Sequence, residues 1–122
     1  MAVSRAFIDY VRDQLRPWGG GGIAARRMFS GAGLFRDGIM FALVHDDTLY
    51  FRTDADNVAD FVAAGMAPFS YARSGRHVAL GYHQVPADIM EEADELARWA
   101  AAAFAAARRR VAPRRPQSRR RA

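Results

Sequence analysis

The 122-residue chain contains no cysteine, which excludes disulfides, thiolate zinc sites and cysteine nucleophiles together. It contains no lysine either, so the tetraglycine at residues 19–22 lacks the Lys-Ser/Thr that would make it a phosphate loop. No apolar run approaches the roughly 18–20 residues that a membrane span requires, and residues 1–16 mix charges with apolar positions. The expectation is a soluble, cytoplasmic protein that binds no membrane. Catalytic signatures are absent as well. The three histidines, His45, His77 and His83, have no HExxH spacing and read as strand-end residues. Ser30 has no G-x-S-x-G elbow around it. Gly31-Ala32-Gly33 lacks the third glycine and the following helix of a dinucleotide site. Asp46-Asp47 reads as a turn, because adjacent side chains point apart. The expectation is therefore no enzyme and no cofactor.

Hydrophobic residues make up 51% of the chain, enough for a real core in one domain. The net charge of +5 misleads about that domain. Eight of the 18 arginines (Arg108, Arg109, Arg110, Arg114, Arg115, Arg119, Arg120 and Arg121) lie at the end of the chain, so residues 1–107 hold ten arginines against all 13 acids, a balance of −3. A mildly acidic body carries a basic tail. The eight arginines are the candidate polyanion contact, and the tail is the candidate route to nucleic acid. A solubilising low-complexity end is the competing reading.

The stretch 26–53 organises the rest. Apolar runs are cut by Ser30-Gly31-Ala32-Gly33, by Asp37-Gly38 and by Asp46-Asp47, and Asp-Gly is a strong signal for a type I′ hairpin turn. These signals predict a meander of three or four antiparallel strands. Along residues 39–44, strict alternation puts Ile39, Phe41 and Leu43 on one face and Met40, Ala42 and Val44 on the other. Both are apolar, so something must cover both. The helices serve one face; the other calls for a further helix or a second subunit.

Ser4 is a plausible cap for a helix bearing Phe7, Ile8, Val11 and Leu15, ended by Pro17 and the glycines, with Trp18 against the core. Asp54 can cap a short helix with Val58, Phe61 and Val62, closed by Gly65 and Pro68. A hairpin follows, turning at Ser74-Gly75. Pro86 then opens a long helix in which Ile89, Ala93, Leu96, Ala100, Phe104 and Ala107 keep the helical period. The predicted fold is α+β with two layers. An antiparallel sheet of five or six strands carries helices mainly on one face, in the order helix, three or four strands, helix, two strands, helix. The domain spans residues 1–107, and 108–122 form a disordered Arg-rich tail.

The run Arg27-Met28-Phe29, Gly31, Gly33-Leu34-Phe35, Asp37-Gly38, Met40-Phe41-Ala42-Leu43, Asp46-Asp47 and Leu49-Tyr50 resembles the N-terminal domain of the TfoX/Sxy family of bacterial competence regulators. Ala63-Ala64-Gly65, Pro68-Phe69-Ser70-Tyr71 and residues 94–100 extend the match over roughly residues 4–107, with Ser30 and Arg52 where the family usually has Gly and Lys. The resemblance implies a two-layer α+β domain similar to type III secretion chaperones. It also implies a non-enzymatic role beside a transcription regulator, the cyclic-AMP receptor protein. Longer members carry a second, helical domain, and the expectation here is a stand-alone first domain. The expected partners are a second copy, making a homodimer, and a transcription regulator protein. The candidate partner surface is Arg27, Met28, Phe29, Met40, Ala42 and Val44. Arg26, Arg27, Arg36 and Arg52 would form an anion site if they converged; a solvated edge is the plainer expectation. The strand aromatics read as core rather than as a base-stacking platform.

Overall fold

The structure, a computed structural model, describes residues 4–19, 22–28, 31–73 and 76–111, and of residues 71–73 and 76–80 the backbone only. Phe29, Ser30, the Ser74-Gly75 turn and residues 112–122 lie outside that description.

Helix α1 spans Arg5–Gln14. Ser4 caps it, its Oγ accepting from the Phe7 N–H at 3.1 Å, while the Ser4 N–H donates to Asp47 at 2.9 Å. The helix start is thereby tied to a turn of the meander. Ile8, Val11 and Leu15 are buried. Pro17 does not end the helical path: a four-residue helix, α2 (Arg16–Gly19), follows, because a first-turn proline gives up no hydrogen bond.

Six strands, β1 (Ile23–Met28), β2 (Gly31–Arg36), β3 (Ile39–His45), β4 (Thr48–Arg52), β5 (Pro68–Arg73) and β6 (Arg76–Gln84), form one sheet in the order β1-β2-β3-β4-β6-β5. Every neighbouring pair is antiparallel. The hairpin turns are as the residues predict. Asp37 and Gly38 take φ of 53° and 77°, and Asp46 and Asp47 take 53° and 54°, the left-handed pairs that a type I′ turn needs.

Three helices complete the chain: α3 (Val58–Ala63), α4 (Ala87–Met90) and α5 (Ala93–Val111). Several sequence expectations change here. Asn57 stands immediately before α3 without a side-chain cap bond to it, while Asp54 caps the turn that leads in, its Oδ1 accepting from the Asp56 N–H at 3.0 Å. Asn57 is buried, accepts from the Asp54 N–H at 2.8 Å and donates to the Arg52 carbonyl at 2.9 Å, so it pins the loop rather than the helix. Val62 is 63% exposed, leaving Phe61 as the buried residue of α3. The long last helix is two helices, broken at Glu91-Glu92. The boundary at residue 107 falls inside α5: Arg108, Arg109 and Arg110 form its last turn, which complements the helix dipole.

The core lies between the helices and one side of the sheet. Phe41 is fully buried at its centre, with ring centroids of Trp18, Phe51 and Phe104 at 5.0, 6.2 and 6.2 Å. Ala100, Ala103 and Ala107 of α5 are buried against it, small enough for a helix to approach the strands closely. Arg36 closes the outer end of this core, its guanidinium 4.3 Å from the Trp18 ring centroid and 5.3 Å from that of Phe104. Phe41→Ala is expected to lower unfolding stability by about 3–5 kcal/mol, and Val62→Ala by under about 0.5 kcal/mol, as read from urea denaturation midpoints.

Candidate interaction surface

Strand β3 does not alternate strictly. Leu34 pairs with Ala42 but Phe35 pairs with Met40, so Phe41 is an extra residue without a cross-strand partner. Such a bulge shifts the side-chain phase by one position. Ile39, Phe41, Ala42 and Val44 consequently join the helix-side core, and Met40 and Leu43 face the opposite way.

This second side of the sheet carries a cluster built by strand residues alone. Leu43, Phe69 and Tyr82 are buried there, with Met40 and Tyr50 packed against them. The Tyr50 and Phe69 rings meet at 4.8 Å and 66°, and His45 lies 5.5 Å from Phe69. Phe69 belongs to the outermost strand, so the curled sheet folds its own edge back over the middle. Arg52 stands 5.2 Å from the Tyr82 ring. Burial raises the Tyr82 hydroxyl above its ordinary pKa, and Arg52 partly offsets this. Nearer β1, the thioethers of Met28 and Met40 lie over Gly33, where an added Cβ would come within 2.9 Å of the Met40 sulfur. Arg26 covers Phe35 at 5.2 Å.

The candidate partner residues are therefore divided. Met28 and Met40 share the helix-free side. Ala42 and Val44 are fully buried under the helices, and Arg27 sits opposite Ala32 on the helix side, in a cleft with α1. Phe29 lies outside the described residues. The bulge is the reason for the correction at Ala42 and Val44, and at Arg27 the reason is simple alternation from Met28. The chain's own Phe69 and Tyr82 also bury Leu43, so β3 needs no second subunit to cover it along its whole length. What stays half-exposed is the patch of Met28, Phe35 and Met40.

The other candidates separate too. Arg26, Arg27, Arg36 and Arg52 do not converge: Arg26 and Arg52 lie on the helix-free side and Arg27 and Arg36 on the helix side, and Arg26, Arg36 and Arg52 each cover a different aromatic ring. Among the described residues no three His, Asp or Glu side chains are grouped to hold a metal ion. His83 packs on Phe61 and shares a 3.0 Å hydrogen bond with the Thr53 hydroxyl. At the end of α5, Arg109 donates to both Asp54 oxygens at 2.8 and 3.1 Å and lies 3.5 Å from Asp56. The hydrogen bond from Arg109 holds the Asp54 carboxyl below its usual pKa. Arg108 and Arg110 are exposed on either side of it. Arg114, Arg115, Arg119, Arg120 and Arg121 lie outside the described residues.

The sequence profile of the TfoX N-terminal domain matches residues 13–107. The chain belongs to this family. The match takes in every strand, the bulge and most of α5, so the TfoX module here is the sheet with its helical layer. No curated protein matches the chain significantly. No helix among the described residues is long and apolar enough to cross a membrane.

Burial lowers the pKa of His83 below its ordinary 6.5, so the folded domain binds fewer protons there than the unfolded chain. That contribution to stability is complete above about pH 6.5 and is lost as the pH falls through the lowered folded value. His83→Gln is expected to flatten the loss of thermal midpoint on acidification below that pH; an unchanged pH profile would assign the slope elsewhere.

Proposed function

We propose that this domain is a non-enzymatic regulatory module of the TfoX competence type, acting by protein contact as a homodimer and through a transcription regulator partner. The contact surface is the helix-free side of the sheet around Met28, Phe35 and Met40, with Arg26 at its margin. One observation carries the reading: this apolar patch is half-exposed on the side where no helix lies, while the other side of the same strands is closed. Methionine suits such a surface, because its flexible thioether adapts to different partners. Sedimentation equilibrium at tens of micromolar should give a dimer for the native chain and for Val62→Glu, and a monomer for Met28→Glu/Met40→Glu. A monomeric native chain would remove the homodimer, and a dimer unaffected by the methionine changes would move the surface elsewhere.

A second reading, nucleic-acid binding through the tail, is favoured by Arg108 and Arg110, which stand exposed at the end of α5 just ahead of five more arginines. With Arg109 engaged by Asp54, seven guanidinium groups remain for phosphates. Each neutralised phosphate contributes roughly 0.9, so the salt slope of log K should not exceed about −6 in magnitude. Replacing the seven by Gln should abolish duplex binding, and retained affinity would end this reading.

A further inference from the structure

We propose that the groove between α1 and α4 takes an arginine side chain from residues 112–122 of a second copy of this chain. Leu49 and Val85, both buried, make its floor, and Phe7, Tyr10 and Met90 make its walls. The enclosed volume is about 230 Å³, below the range of sites for drug-sized ligands and suited to one long side chain. The walls are fixed. The Gln14 side-chain amide donates to the Met90 carbonyl at 2.9 Å and so ties α4 to α1, while Asp47 at the rim accepts from the Ser4 N–H at 2.9 Å. Tyr10 stays 41% exposed, its ring centroid 6.2 Å from that of Phe7.

Charge selects the occupant. Asp47 and Glu91 stand in the groove lining, which holds no basic residue, and the adjoining stretch 84–95 adds Asp88 and Glu92 with no arginine. None of these four carboxylates is joined to a guanidinium among the described residues, whereas Asp13, Asp54, Asp56 and Glu95 each meet one at 2.8–3.5 Å. An aromatic wall beside a free carboxylate suits a guanidinium, which stacks on the ring while its planar fork binds the carboxylate oxygens. The chain carries five arginines in residues 112–122, namely Arg114, Arg115, Arg119, Arg120 and Arg121. They follow the end of α5, and the groove lies at its start. Within one molecule the return path is the length of the 19-residue helix, about 28 Å at 1.5 Å per residue. At roughly 3.3–3.6 Å per extended residue, Arg114 and Arg115 fall far short of it. A second copy is under no such limit, and two copies that exchange tails satisfy both grooves. The exchange rests on the homodimer proposed above: one arginine in a groove is too weak to hold two copies at tens of micromolar, and it acts where a pair already raises the local concentration of the tail.

Two measurements test it. In the first, a synthetic peptide of residues 112–122 is titrated calorimetrically into the full chain carrying Met28→Glu/Met40→Glu, which isolates the groove from the pair. Saturable binding is expected. Tyr10→Ser/Glu91→Gln in that chain, with its circular dichroism still native, should weaken binding at least tenfold, and a peptide with Gln at its five arginine positions should not bind. The second measurement is the dimer dissociation constant of the otherwise native chain, by sedimentation. Tyr10→Ser/Glu91→Gln should raise it at least threefold, Gln at the five tail arginines should raise it as much, and the two together should raise it no further, because both remove one contact. Peptide binding that ignores the groove changes, or a dimer that either set of changes leaves unmoved, would overturn the exchange. Groove-dependent peptide binding beside a monomeric native chain would overturn the exchange through failure of the homodimer, with the groove itself upheld.

Discussion

The bulge at Phe41 is the constraint from which the two sides of this sheet take their character. One extra residue turns Phe41 and Ala42 toward the same side, so Ile39, Phe41, Ala42 and Val44 all feed the core beneath α5. Without it, Ala42 and Val44 would leave that core and Leu43 would enter it. Bulges also bend the strand that carries them. The curled sheet is the setting in which Phe69 on the outermost strand reaches Tyr50 and Leu43.

The result is a domain closed on one side by helices and on the other partly by its own edge. On the closed side, charged residues work as fasteners at the margins. Arg36 sits over the Trp18 ring, and Arg109 holds the end of α5 to the loop after β4. Asp47 fixes the start of α1 to the second hairpin turn. Arg5 and Arg12 line the cleft between α1 and the β1-β2 hairpin.

Local rules read well wherever a residue has one strong conformational preference. Asp37-Gly38 and Asp46-Asp47 accept positive φ, Ser4 offers a hydroxyl to a free N–H, and Gly65 takes φ of 76° after α3. Those positions fixed the element order. The bulge was not legible, because residues 39–44 are apolar on both faces and a phase shift leaves no polar residue out of place. That one omission misassigned Ala42 and Val44 to an open surface. The cleft under α1 was hidden for another reason. Arg5, Asp9 and Arg12 look like an ordinary solvated helix face until Arg27 and two alanines of a distant hairpin are brought beneath them. Asn57 was missed at the start of α3 because Asp54 is an equally good cap by residue type; Asp54 caps the turn before the helix and also binds Arg109, 55 positions away.

The absence of native cysteine allows the phase of β3 to be measured directly, by introducing single thiols at Met40, Ala42 and Val44 and timing their reaction with a soluble thiol reagent in the native state. The bulged strand predicts fast labelling of Met40→Cys, with Ala42→Cys and Val44→Cys labelled only as fast as the domain unfolds. Equal, fast labelling at all three positions would show unbroken alternation and contradict the account.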